Sequence, residues 1–245
     1  MITVAVIDDN LLHADFMATA INKLPNCKTV AVLPSGVHFV KYCHQEKVLP
    51  QIAITDVQMK GLDGVSLTEY VSTYFPNVKV IGTSTFAIVE VVTDLFSCGA
   101  KAFVGKYMPV LNRDGSVKYN GNSTILEAAI KMVAKGAYYI DELVLKDSEF
   151  ADFKFNPAAL VAQRQYEKKQ GFNNVLTKRE QLIASLYACS DMTVDDIANT
   201  LHSSPKTVQI HVTSVYKKLD VDNRQKFTLH CLANGLLKIA RLGRK

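Results

Sequence analysis

At 245 residues the chain has room for two compact domains or one large one. A composition of 48% apolar and 21% charged residues excludes a disordered or fibrous chain. No run approaches the roughly 18 uninterrupted apolar residues that a membrane helix needs. The net charge of +5 is unevenly held: residues 176–245 carry eleven Lys/Arg against six Asp/Glu, and residues 1–175 carry seventeen of each. A neutral stretch followed by a basic one points to a polyanion as partner of the second. The five cysteines (Cys27, Cys43, Cys98, Cys189, Cys231) form no CxxC pair and no zinc spacing. Buried thiols in a reducing compartment are expected. The start, Ile2-Thr-Val-Ala-Val-Ile7 and then two aspartates, lacks the pattern of a signal peptide, so a cytoplasmic protein is expected.

In chain order, short β-branched runs alternate with helical patterns up to about residue 140. The runs are Ile2–Ile7, Thr29–Leu33, Ile52–Thr55, Val78–Gly82 and Ala102–Val104. Between them, segments such as Leu11–Leu24, Val65–Phe75 and Ile88–Cys98 carry apolar residues at helical spacing. Fully apolar short strands alternating with helices predict a doubly wound, five-stranded parallel sheet covered on both faces. Residues 107–122 break the rhythm, and Asp114-Gly115 between β-prone arms predicts a small hairpin there. A last helix, Thr124–Lys135, closes at Gly136. Residues 1–140 therefore read as one domain and 141–175 as a linker, with a short helix from Pro157 to Gln170.

From Leu176 to Lys245 the pattern is purely helical. Thr177 with Glu180, Thr193 with Asp195 and Asp196, Ser204-Pro205 and Asp222-Asn223 predict four helix starts, hence an all-α four-helix domain. In the third helix Val208, Val212, Val215 and Leu219 form one apolar stripe. Lys206, Ile210, Thr213 and Lys217 fall on the opposite side, with Gln209 flanking them. Lysines suit phosphates, an amide suits a base edge, and a branched or methyl group suits a thymine methyl, so this helix fits a DNA major groove.

The chemistry of the first domain gathers at strand ends. Asp8 and Asp9 follow the first strand, Asp56 the third, Ser84 the fourth and Lys106 the fifth. In a parallel sheet these ends share one rim. Three mutually repelling carboxylates call for a hard cation such as Mg²⁺. A carboxylate between a metal and a lysine is suited to accept a phosphoryl group. A phosphotransferase using an aspartyl phosphate would want a second acid two residues after the nucleophile, where Gln58 stands, so an enzyme is not expected.

On these motifs, residues 1–140 resemble a receiver domain of flavodoxin-like fold. The matching residues are Asp8-Asp9, Asp56-Val-Gln-Met-Lys-Gly-Leu-Asp-Gly64, Ser84 and Gly99-Ala100 through Lys106. Residues 176–238 resemble the LuxR/NarL helix-turn-helix, through Leu176-Thr-Lys-Arg-Glu180, Asp196-Ile-Ala198, Ser204-Pro-Lys-Thr-Val208, His211-Val212, Lys217-Lys-Leu219, Val221 and Arg224. The resemblance implies a two-component response regulator phosphorylated on Asp56 by a sensor histidine kinase. It implies Mg²⁺ held by Asp9, Asp56 and the Gln58 carbonyl with Asp8 assisting, Lys106 and Ser84 on the phosphoryl group, and Ser84 with Phe103 as the switch. It adds Lys178, Ser204, Thr207, Lys218 and Arg224 to the DNA-contacting set. It also implies homodimers, for which Phe227, Cys231, Leu232, Leu236 and Ile239 offer an apolar face, and the same face would equally serve to close the domain core. Lys60 and Tyr107 stand where the resemblance expects prolines. In a receiver fold Gln58 and Phe86 border the path of hydrolytic water. The bulk of Phe86 predicts a long-lived phosphorylated state if it obstructs that path, and no such effect if the ring turns into the groove beside the fourth helix.

Overall fold

The computed structural model describes residues 1–85, 87–106, 110–111, 117–118, 122–170 and 175–234. Five parallel strands arise where the apolar runs lie: β1 (Ile2–Ile7), β2 (Cys27–Leu33), β3 (Ile52–Asp56), β4 (Lys79–Ser84) and β5 (Ala102–Gly105). The helices between them are α1 (Leu11–Asn22), α2 (Gly36–Gln45), α3 (Gly64–Tyr74) and α4 (Val89–Ser97), followed by α5 (Asn122–Ala134). The sheet order is β2-β1-β3-β4-β5 with a short further strand (Tyr139–Ile140) beyond β5, doubly wound about β1. Its central strands carry almost only buried apolar side chains, because helices cover both faces.

The sheet has six strands rather than the expected five. The sixth, β8 (Tyr139–Ile140), pairs in parallel with β5 through Ala102↔Tyr139 and Phe103↔Ile140. A two-residue strand leaves no alternation for a sequence to display, which is why it was missed. Between β5 and α5, β6 (Val110–Leu111) and β7 (Val117–Lys118) pair antiparallel in a separate ribbon. The Asp114-Gly115 turn lies outside the described residues.

Much of the expected linker is packed structure. After α6 (Glu142–Leu145) and a single 3₁₀ turn at Ser148–Phe150, the chain enters α7 (Pro157–Gln170). Ile140, Val144, Phe150, Phe153, Phe155 and Leu160 join the apolar cluster built by Val91, Val92, Leu95 and Phe96 of α4. Buried Asp141 anchors this strap by accepting from the backbone N–H of Gly105 (3.2 Å) and of Leu143 (2.9 Å). Further on, Arg164 of α7 forks onto Glu69 of α3, with Nε at 2.7 Å and the terminal nitrogen at 3.0 Å from the two carboxylate oxygens.

The C-terminal domain holds α8 (Lys178–Cys189), α9 (Val194–Thr200), α10 (Pro205–Leu219) and α11 (Arg224–Ala233). Each starts at the expected cap: Thr177 and Thr193 in reciprocal boxes with Glu180 and Asp196, then Ser204 and Asn223. Glu180 has a second task. Its buried carboxylate accepts from Lys218 Nζ at 2.7 Å and Ser214 Oγ at 2.7 Å, tying α8 to α10. Burial opposes ionisation of this group, yet Lys218, Ser214 and Thr177 outweigh it and hold the carboxyl at about 2. The two domains touch where Lys41 of α2 meets Asp196 of α9 at 3.0 Å. Beside it, His202 Nε2 donates to the His44 carbonyl at 3.2 Å.

Two stability predictions follow from these ion pairs. The Arg164–Glu69 pair is buried, so Glu69→Gln should cost about 3–5 kcal/mol by removing the carboxylate charge that faces a buried guanidinium. The double variant Glu69→Leu/Arg164→Met should recover most of that loss in denaturant unfolding. Glu180 is depressed below its ordinary 4.5, so its stabilisation is complete above that value and lost as pH falls towards 2. Glu180→Gln should therefore be less stable than wild type at neutral pH, and the gap should close across that acid window.

Candidate phosphoacceptor site and nucleic-acid interface

Strand register assembles the acid rim. Ile7 pairs with Thr55, Asp56 with Thr83, and Ser84 with Gly105, so the residues at or just past these ends lie side by side. Asp8 and Asp56 are buried and Asp9 is exposed. Carboxylate oxygens of all three come within 4.8 Å of one another. Lys106 Nζ lies 2.7 Å from Asp8 Oδ2 and 2.7 Å from Asp56 Oδ2. The Lys106 backbone N–H donates to the Ser84 carbonyl at 2.7 Å, locking the two strand ends together.

Asp56 Oδ1 accepts from the Gln58 backbone N–H at 3.1 Å. The loop beyond is tight: a Cβ on Gly64 would run into the Asp56 carbonyl oxygen, so only glycine fits at the start of α3. Burial is the largest influence on the Asp56 carboxyl and pushes it above its usual range, against the pull of Lys106. Asp8 goes the other way. Burial opposes its ionisation, but hydrogen bonds from His13 and Lys106 win and lower it. Three clustered oxygen ligands with a lysine beside them suit a hard divalent cation, so the donor set fits Mg²⁺.

Ser84 ends β4 and is buried, and Phe103 is buried at 0% exposure within the α4 and strap cluster. Phe86 lies outside the described residues, so the long-lifetime expectation has no geometry here. His13 and Asn10 were not singled out from the sequence. The available signal was position: Asn10 caps α1 directly after the acid pair, which turns the first helical turn back over the strand end.

In the C-terminal domain Val208, Val212 and Val215 are buried, and Leu219 packs against the cluster that contains Val215. On the outer side of α10, Lys206, Thr207, Gln209, Ile210, Thr213 and Lys217 are all exposed, Ile210 at 60%. Lys178 and Ser204 are exposed at the starts of α8 and α10, with the Ser204 hydroxyl capping Thr207 N–H at 3.0 Å.

Two expected DNA contacts are engaged elsewhere. Lys218 is held by Glu180, and Arg224 donates to the carbonyls of Tyr187 (2.8 Å) and Ser190 while stacking on the Tyr187 ring. The reason is local: α8 ends with orphan carbonyls, and a guanidinium fork satisfies two of them. Of the two uses expected for the apolar face of the last helix, closing the domain core is the one its described residues serve. Phe227 and Cys231 are buried in the domain's own core, with Leu232 packed against it. Leu236 and Ile239 lie outside the described residues. Cys43 and Cys98 are also buried free thiols, and Cys27 is half-buried.

The response regulator receiver domain family matches residues 4–111, and the luxR family of bacterial regulatory proteins matches residues 174–231. The transcriptional regulatory protein DegU of Brevibacillus brevis is 24% identical over 97% of this chain and 96% of its own. The response regulator protein VraR of Staphylococcus saprophyticus is 24% identical over 97% of this chain and 99% of its own. Among solved structures, the RcsB response regulator of Salmonella typhimurium aligns at 19% identity and a TM-score of 0.49, covering 95% of this chain and all of that one. The chain belongs to the two-component response regulators of the NarL/LuxR type, a receiver domain joined to a LuxR-type helix-turn-helix.

Proposed function

We propose that this protein is a transcription regulator whose binding to double-stranded DNA is controlled by phosphorylation of Asp56. The observation that carries the reading is Lys106 Nζ, at 2.7 Å from both Asp8 and Asp56, beside a third carboxylate. A sensor histidine kinase in the cytoplasm supplies the phosphoryl group. An Asp56 oxygen attacks phosphorus, the P–N bond of the phosphohistidine breaks, and the imidazole nitrogen keeps the electron pair. Bound Mg²⁺ would neutralise charge on the transferring oxygens, and Asp9, Asp56 and the Gln58 carbonyl would hold it, with Asp8 assisting. Lys106 stabilises the phosphoryl oxygens and Ser84 donates to them, which draws on the backbone bond between these two strand ends. Phe103, on the neighbouring strand, couples that change to α4 and the strap.

On the DNA side, Lys178, Lys206 and Lys217 meet phosphates, with the Ser204 and Thr207 hydroxyls beside them. Gln209 reads a base edge, and Ile210 with the Thr213 methyl touches thymine methyls. Lys218 and Arg224 act as supports of that surface, in keeping with their partners Glu180, Tyr187 and Ser190. Operator-bound homodimers form outside the buried Phe227–Cys231 core.

Acetyl phosphate with Mg²⁺ should label the wild-type protein, and Asp56→Asn should remove the label while leaving thermal unfolding intact. Full labelling of that variant at another residue would reassign the acceptor. DNA affinity should fall steeply with salt, and Lys206→Ala or Lys217→Ala should each lower the salt slope by about 1. Gln209→Ala should instead relax preference at one base pair by about 1–3 kcal/mol. Equal loss on all sequences for Gln209→Ala would remove it from base reading.

A further inference from the structure

The acid pocket contains a histidine that the phosphoacceptor chemistry described above does not use. Asn10 caps α1, and its side chain accepts from the His13 backbone N–H at 3.2 Å, which fixes the first turn of the helix. That turn brings His13 Nδ1 to 2.6 Å from Asp8 Oδ2. A carboxylate only accepts, so Nδ1 is the donor. The other Asp8 oxygen accepts from the Asn10 backbone N–H at 2.9 Å. Asp8 is thus clamped from both sides by α1.

Asp8 Oδ2 has a second donor, Lys106 Nζ, and this ammonium is shared with Asp56. The sharing matters once a phosphoryl group sits on Asp56 and draws Lys106 towards it. Asp8 is 1% exposed, so little water can replace a donor that leaves. His13 is held by the helix and its cap, not by Lys106, and stays in place.

We propose that His13 is a positioning residue of the phosphorylation site. It aims the Asp8 carboxylate for Mg²⁺ and keeps it hydrogen-bonded when Lys106 turns to the phosphoryl group. This rests on the reading of the pocket as a Mg²⁺ site. Donors behind a metal-binding carboxylate typically set affinity by about 10–100-fold, which gives the size of the effect.

The test is calorimetric titration of the full chain with Mg²⁺ alone, for wild type, His13→Leu and His13→Gln. Thermal unfolding in chelator is measured separately, because a merely structural residue moves that temperature and not the Mg²⁺ affinity. His13→Leu should raise the Mg²⁺ Kd about tenfold or more. His13→Gln, which keeps an N–H donor of similar reach, should recover most of it. The Mg²⁺ concentration that half-saturates labelling by acetyl phosphate should shift in parallel. If His13→Leu does not fold, His13→Gln and His13→Asn supply the comparison, with the shorter Asn expected to bind Mg²⁺ more weakly than Gln. An unchanged or tighter Kd in a folded variant lacking the donor overturns the proposal. Failure of the wild type to bind Mg²⁺ overturns the pocket reading itself, and is distinguishable because it precedes any comparison of variants.

Discussion

One ammonium group holds the receiver rim together. Asp8 and Asp56 are buried carboxylates at adjacent strand ends, and without Lys106 between them they would repel in a poorly solvated site. The parallel register of β1, β3, β4 and β5 forces that proximity. The balance is asymmetric: His13 joins Lys106 in stabilising ionised Asp8, whereas Asp56, with fewer donors, is pushed the other way by burial. The carboxylate least satisfied in its charged state is also the one proposed to take up a phosphoryl group.

The same rim reaches the rest of the molecule through a short mechanical route. Ser84 and Lys106 share a backbone hydrogen bond, and Phe103 lies three residues before Lys106 on β5. Phe103 is packed not against solvent but against α4 and the strap that includes Ile140, Val144 and Phe150. The strap is tied to β5 by Asp141 and to α3 by the Arg164–Glu69 fork. A displacement of Phe103 or α4 must therefore disturb the segment that leads into the DNA-binding domain.

The sequence displayed the parts of this design that depend on periodicity or on chemistry at element ends. Apolar runs marked the five longer strands, helix caps marked all four C-terminal helix starts, and the valine stripe marked the buried side of α10. Asp8, Asp9, Asp56, Ser84 and Lys106 were legible because strand ends of a parallel sheet must converge. Features made by side chains distant in sequence were not. Glu69 and Arg164 are 95 residues apart, and neither stands out until α7 is laid along α4. β8 was too short to show alternation, and the strap's aromatics read as linker because no period organises them.

Charge counted along the chain overstates what DNA can meet. Of the basic residues in the C-terminal half, Lys218 is spent on Glu180, Arg224 on the carbonyls at the end of α8, and Lys226 on Asp222. The first two commitments tie α8 to α10 and to α11, whereas the exposed Lys226–Asp222 pair is local to the start of α11. Lys206 and Lys217, near opposite ends of the outer side of α10, are exposed, and Gln209, Ile210 and Thr213 lie between them. In the proposed reading this spacing brackets the base-reading residues with a cation at each end, so one rigid helix would set both the register on the phosphates and the contact with the bases. The internal lysine and arginine make that possible by holding the helix still: a reading surface is only as specific as the support beneath it is stiff.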